Sequence, residues 1–86
     1  MAYSEAYNEW LYGELNKRFP SYNFGIGVSL HAAKPQYIFL IQYTKAQMFN
    51  RMSTDATVEV FTFDDTATPG EILTKIVSRL MLLGLD

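Results

Sequence analysis

The chain contains no cysteine. That absence excludes a disulfide framework, a thiolate nucleophile and any zinc site built on cysteine. The fold must hold by packing alone, which suits a reducing cytoplasm. Histidine is almost as scarce, with His31 the only one. A metal centre gathers several N, S or O ligands at defined spacing. His31 has no acid or thiol near it in sequence and reads as a solvent-facing residue at a strand end. Long apolar runs are missing too, since none approaches the roughly 20 residues that span a membrane. The first ten residues mix Glu5, Asn8 and Glu9 with aromatics and lack the basic start and apolar run of a signal peptide. An excess of positive charge is also absent. Seven Lys and Arg stand against nine Asp and Glu, a net charge of −2. Such a balance gives no electrostatic footprint for a phosphate backbone. With no repeat, low-complexity tract or linker-like stretch, residues 1–86 are expected to form one cytoplasmic domain.

What the chain has in quantity is apolar surface. Of its 86 residues, 49% are hydrophobic and 15% aromatic. A domain this small buries only roughly 60–65% of the surface its unfolded chain exposes. Each large apolar side chain it does bury contributes about 1.5–3 kcal/mol.

The pattern reads helix, strand, strand, strand, helix. The first helix is expected from about Ser4 to Arg18. Tyr7, Leu11 and Leu15 recur every fourth residue with Trp10 beside them, while Glu5, Glu9, Tyr12 and Asn16 share the opposite face. Ser4 suits the N-cap, Lys17 and Arg18 suit the negative end of the helix dipole, and Pro20 stops the helix. From Tyr22 to His31, Tyr22, Phe24, Ile26, Val28 and Leu30 alternate with Asn23, Gly25, Gly27, Ser29 and His31. This strict period of two means one buried and one open face. Glycines inside a strand often mark a bulge or a close backbone approach. A second strand, Gln36 to about Thr44, is apolar on both faces, as strands that are central and covered on both sides usually are. A third, about Thr57 to Phe63, points Val58 and Val60 one way and Phe61 and Phe63 the other.

Thr68-Pro69-Gly70-Glu71 opens the last helix, with Thr at the N-cap, Pro at N1 and Glu at N3. Ile72, Leu73, Ile76, Val77, Leu80 and Leu83 form its core stripe, and Gly84 sits where a left-handed cap belongs. Leu82 shares the outer face with Lys75 and Arg79, an odd place for leucine. The expected fold is therefore α+β, in the order α-β-β-β-α: a three-stranded antiparallel meander with two helices packed on one face.

Two helices cover one face of such a sheet, yet the second and third strands carry large apolar residues on both. Large exposed apolar patches tend to mark interfaces, so the uncovered face or its edge is expected to meet a partner. The alternative is a deeper core, with the long connection folding over the sheet. That connection, Lys45 to Ala56, reads KAQMFNRMSTDA, and about 12 residues is long for a hairpin in a compact domain. Met48, Phe49 and Met52 would give it an adaptable binding surface, and Arg51 is a typical interface anchor. The same residues read equally as a helical turn tucked on the core or as an extension of the second strand.

No catalytic site and no cofactor are expected. Asp64-Asp65 has paired carboxylates that could do acid/base work or hold a cation, but such pairs commonly end strands through turn hydrogen bonds. Gly25 and Gly27 lack the following helix and lysine of a phosphate loop, and no nucleophile elbow is present. The order of elements resembles that of double-stranded RNA-binding domains, in topology only. The lysine-rich start of that family's second helix is replaced here by Thr68-Pro69-Gly70-Glu71, so its contact residues do not carry over. Tyr37, Phe39 and Tyr43 are the candidates for stacking single-stranded bases, with few basic residues beside them. The expected function is a non-enzymatic protein–protein interaction domain, an inhibitor or adaptor acting on a larger protein. Small virus- or phage-encoded inhibitors share its size class, an analogy resting on size alone. A nucleic-acid-binding module is the alternative, with nucleic acid the disfavoured partner. A second copy of the chain is a further candidate partner, because two-fold dimers are the commonest oligomers. The residues nominated for contact are Met48, Phe49, Arg51 and Met52, then Tyr12 and Leu82. Changing Met48 and Phe49 together to Ser should abolish partner binding and leave the melting temperature nearly intact. A large loss of stability in a thermal melt would instead make them core.

Overall fold

The computed structural model describes residues 4–31, 33, 36–45 and 56–85. Helix α1 spans Glu5–Arg18. The Ser4 hydroxyl accepts the backbone N–H of Tyr7 at 3.2 Å, which caps the helix start. Arg18 pairs with Glu14 one turn earlier. The helix ends at Phe19, whose N–H bonds back to the Leu15 carbonyl just ahead of Pro20. Tyr7, Leu11 and Leu15 are buried, as their spacing requires. Trp10 lies at the border of that stripe, tilted against the Tyr7 ring at 5.6 Å and still partly exposed.

Strands β1 (Tyr22–His31), β2 (Gln36–Lys45) and β3 (Thr57–Asp64) form an open antiparallel sheet in that order. The register sorts side chains into rows across it. On one face run Val28, Phe39 and Phe61, with Leu30, Tyr37 and Phe63 beside them. On the other run Gly27, Leu40 and Val60, with Gly25, Gln42 and Val58 beside them. Both helices pack on the first face. Phe39 and Ile41 of the central strand are fully buried there, together with Leu11, Leu15, Ile72, Ile76 and Leu80. Phe39 meets Phe63 and Tyr7 edge-on, at 5.6 and 6.4 Å, the geometry that aligns a ring edge with a ring face. The layers are thus those expected of an α+β fold in the order α-β-β-β-α.

Helix α2 spans Pro69–Leu82. The Thr68 hydroxyl accepts the Glu71 N–H at 3.2 Å, and Pro69 occupies the first turn. At the far end Gly84 adopts φ +95°. The Leu85 N–H reaches the Leu80 carbonyl and the Gly84 N–H reaches that of Met81. This paired arrangement satisfies carbonyls that a helix end would orphan. It also changes which leucine is core. Leu83, expected in the stripe, is the C-cap and is 40% exposed, whereas Leu85 folds back beneath Leu80 and is buried.

Two general tendencies of such strands do not apply within this chain. Gly25 and Gly27 mark neither a bulge nor a tight approach, because the β1–β2 register is unbroken. A Cβ at either position would meet its nearest neighbour at 3.7–3.8 Å, ordinary contact. And β2 is central without being covered twice, since Leu40 on its second face is 44% exposed.

The two leucines at the end of α2 provide a direct test. Leu80→Ala should cost about 2–5 kcal/mol, the range for emptying a buried leucine site. Leu82→Ala should change stability by no more than about 0.5 kcal/mol, as for other exposed positions. Urea denaturation of the two variants measures both.

Candidate functional site

The second face of the sheet is where burial and residue type disagree. Strand alternation sends Ile38 and Leu40 from β2, and Val58 and Val60 from β3, away from the helices. Val58 and Val60 are about half and 62% exposed, Leu40 somewhat less so, and Ile38 is half-buried. The β1 side of the same face has Gly25 and Gly27 instead, which leave a shallow hollow of about 380 Å³ beside Leu40, Gln42 and Val58. The face is thus an apolar ridge along β3 descending to bare backbone along β1. No Lys or Arg stands among its residues from Asn23 to Ser29, Ile38 to Thr44, or Val58 to Thr62.

The ridge ends at the outer edge of β3, which among the described residues pairs with β2 on one side only. Beside that edge, on the helix side, a groove of about 720 Å³ separates β3 from α2. Glu59, Val60 and Phe61 form one wall, and Lys75, Arg79 and Leu82 the other. The Arg79 Nε donates to the Glu59 carboxylate at 3.1 Å across the groove floor. The Lys75 ammonium sits 5.2 Å from the centre of the Phe63 ring, a cation–π contact worth about 0.5–1 kcal/mol at an exposed position.

Of the residues nominated from sequence, two fall among those described. Leu82 lies on the rim of this groove and is 81% exposed. Tyr12 is exposed on α1, the helix that packs over β1. Met48, Phe49, Arg51 and Met52 lie outside the described residues, as does the choice between loop, helical turn and strand extension. Leu40, Val58 and Val60 were not nominated singly. Their signal was the apolar character of both faces of β2 and β3.

The residues that might have done chemistry have structural surroundings. Asp64 ends β3, and its carbonyl accepts the Ala67 N–H at 3.0 Å to form the turn into α2. Among the described residues, no three of His, Cys, Asp and Glu gather as a metal ion would require. Tyr37, Phe39 and Tyr43 lie on the helix-covered face, buried in the core or packed against it. They therefore offer no platform for stacking bases. No helix among the described residues is long and apolar enough to cross a membrane. No family model, curated protein or solved structure matches the chain.

The fold disfavours ionisation of the Tyr7 phenol. Burial pushes it up to about 12 from the ordinary 10, because a phenolate there would lose its hydration. Its hydroxyl lies 3.5 Å from the Pro69 carbonyl, tying the start of α1 to the start of α2. Between pH 10 and 12 the unfolded chain sheds this proton while the folded chain keeps it. The stability that the neutral phenol contributes is thus complete below pH 10 and falls as the pH rises toward 12. Tyr7→Phe should flatten that alkaline decline, measured as urea midpoints at pH 9 and 11.

Proposed function

We propose that the chain is a non-enzymatic protein-binding domain, of the inhibitor or adaptor kind, that docks on a larger protein through the uncovered face of its sheet. The observation that supports this most is the row of half-exposed Leu40, Val58 and Val60 on a face that no described element covers. A large apolar side chain left in water forgoes much of the roughly 1.5–3 kcal/mol that burial would contribute. In a domain this small, with little stability in reserve, such a row is costly unless something is placed on it. The face suits a protein surface better than other ligands. Along β1 it is bare of side chains at Gly25 and Gly27, so another backbone can approach it closely there. Its described residues offer no cation to a phosphate and no aromatic ring to a base, which weighs against the nucleic-acid alternative. Freedom from cysteine accords with work in a reducing cytoplasm.

The test separates binding from folding. Leu40→Gln together with Val58→Thr removes apolar area from the face while leaving the helix side untouched. The tagged variant should no longer retain the protein captured by the unaltered chain from lysate of its own host, identified by mass spectrometry. Its melting temperature should stay within a few degrees of the original, as for exposed substitutions in a domain of this size. Retention of the same protein by the variant would remove the face from the mechanism.

A further inference from the structure

We propose that two copies of the chain join at the free edge of β3, strand against strand about a two-fold axis, into one six-stranded antiparallel sheet with the two Val60 residues opposite each other. This goes beyond docking on a larger protein and stands without it.

The first ground is an edge that no other described element pairs with or covers. An unpaired strand edge is a template for another strand. Proteins usually blunt such edges with proline, lysine, a bulge or inward-pointing charge. Thr57–Asp64 has neither proline nor lysine, and its register with β2 is unbroken over eight residues. Its one inward charge, Glu59, is already matched by Arg79. Among the described residues the edge of β1 is also unpaired, but on the uncovered face it has Gly25 and Gly27 at its middle, which give an incoming strand nothing apolar to meet on that side, although Leu30 is exposed on the other.

The second ground is the space beside the edge. The groove between β3 and α2 leaves room on the helix side for the side chains of an added strand. Its rim is Leu82, the most exposed large apolar side chain among the described residues. A two-fold axis perpendicular to the sheet at the middle of β3 also sets the two α2 helices side by side on the helix face, with the groove-lining residues Lys75, Arg79 and Leu82 of each copy turned toward the other.

The third ground is that the edge complements itself in one register. Antiparallel neighbours on a common face must pair residues of matching orientation, and a shift of one residue sends every side chain to the wrong side. Centring the axis on Glu59 sets two carboxylates directly opposite, which is destabilising. Centring it on Phe61 crowds the two rings on the helix side and opposes Val60 to Thr62. Centring it on Val60 pairs valine with valine, Val58 with Thr62, Glu59 with Phe61 and Thr57 with Phe63. The row Gly27, Leu40, Val60 then continues into the mirrored row of the second copy. An apolar ridge that stops at the edge of one chain becomes the centre of a continuous face across two. A foreign strand could occupy the same edge, but the second copy alone supplies this continuity and returns an equal, already paired Glu59 and Arg79 to the joint.

Because the chain has no cysteine, single introduced cysteines report the register. The experiment combines sedimentation velocity of the unaltered chain with mild oxidation of Val60→Cys, Val58→Cys and Leu40→Cys, each in turn. A concentration-dependent dimer is expected, with rapid disulfide formation at Val60→Cys only. Opposed residues in an antiparallel pair bring Cα atoms to about 4.5–5.5 Å, within disulfide reach. Val60→Lys, and separately Leu82→Lys at its exposed position, should each weaken the dimer at least about a hundredfold by opposing like charges at the axis. Both should keep the far-ultraviolet dichroism of the original. A monomer at every concentration overturns the proposal. So does a dimer that survives both lysines, or one that cross-links faster at Leu40→Cys or Val58→Cys, since the copies would then meet face to face. The single Leu40→Gln change, which leaves β3 and its edge unaltered, should weaken docking and still allow the chain to dimerise, so loss of docking and loss of pairing are read apart.

Discussion

A sheet has two sides, and the described helices of this chain serve one. Everything distinctive about the molecule follows from that shortage. Phe39 and Ile41 anchor the side that is served, completely enclosed between α1 and α2. Their neighbours one residue away in sequence, Ile38 and Leu40, are by strand geometry on the side that is not. A strand of ordinary surface type would put polar residues at those positions. Here β2 and β3 put leucine, isoleucine and valine there. The proposed docking and the proposed pairing would both answer the same deficit, one on the face of the sheet and the other on its rim.

The placement of α2 decides which rim is available. Thr68 and Pro69 start this helix immediately after the turn at Asp64, so it runs back over the strand it follows. It is held there by the buried stripe Ile72, Leu73, Ile76 and Leu80 and by the links from Arg79 to Glu59 and Lys75 to Phe63. A helix seated in this way leaves a groove rather than a seal along β3, and its last turn points Leu82 outward. Helix α1 sits over β1, whose far side has little to offer. The asymmetry between the two edges is therefore set by where glycine and valine fall in the strands.

Most of the architecture was legible in the sequence because its signals were local. Period-two alternation from Tyr22 to Leu30, the spacing of Tyr7, Leu11 and Leu15, and the Thr68-Pro69 start each name an element without help from the rest of the chain. The end of α2 was less legible. Leu83 fits a helical stripe by spacing, but the left-handed turn at Gly84 redirects the chain and gives the buried place to Leu85. Spacing cannot foresee a change of backbone direction. The uncovered side was legible only as an excess. The sequence showed that β2 and β3 had apolar residues to spare, and Leu82 stood out on the polar face of its helix. Which residues shared a patch depended on the pairing of Leu40 with Val60 and of Gln42 with Val58. That pairing is a property of register and not of any one strand. The long connection drew attention through its methionines and phenylalanine, and it lies outside the described residues.

The order in which the elements leave the ribosome gives the arrangement one more consequence. Synthesis proceeds from the N-terminus, and a domain cannot close before its last element exists. Helix α1 and the meander appear first and can pair through contacts between chain neighbours. Phe61 and Phe63 then wait, uncovered, for the helix that hides them. During that interval the nascent sheet is apolar on both sides along β3, a condition that favours capture by a chaperone or an early encounter with a sister chain.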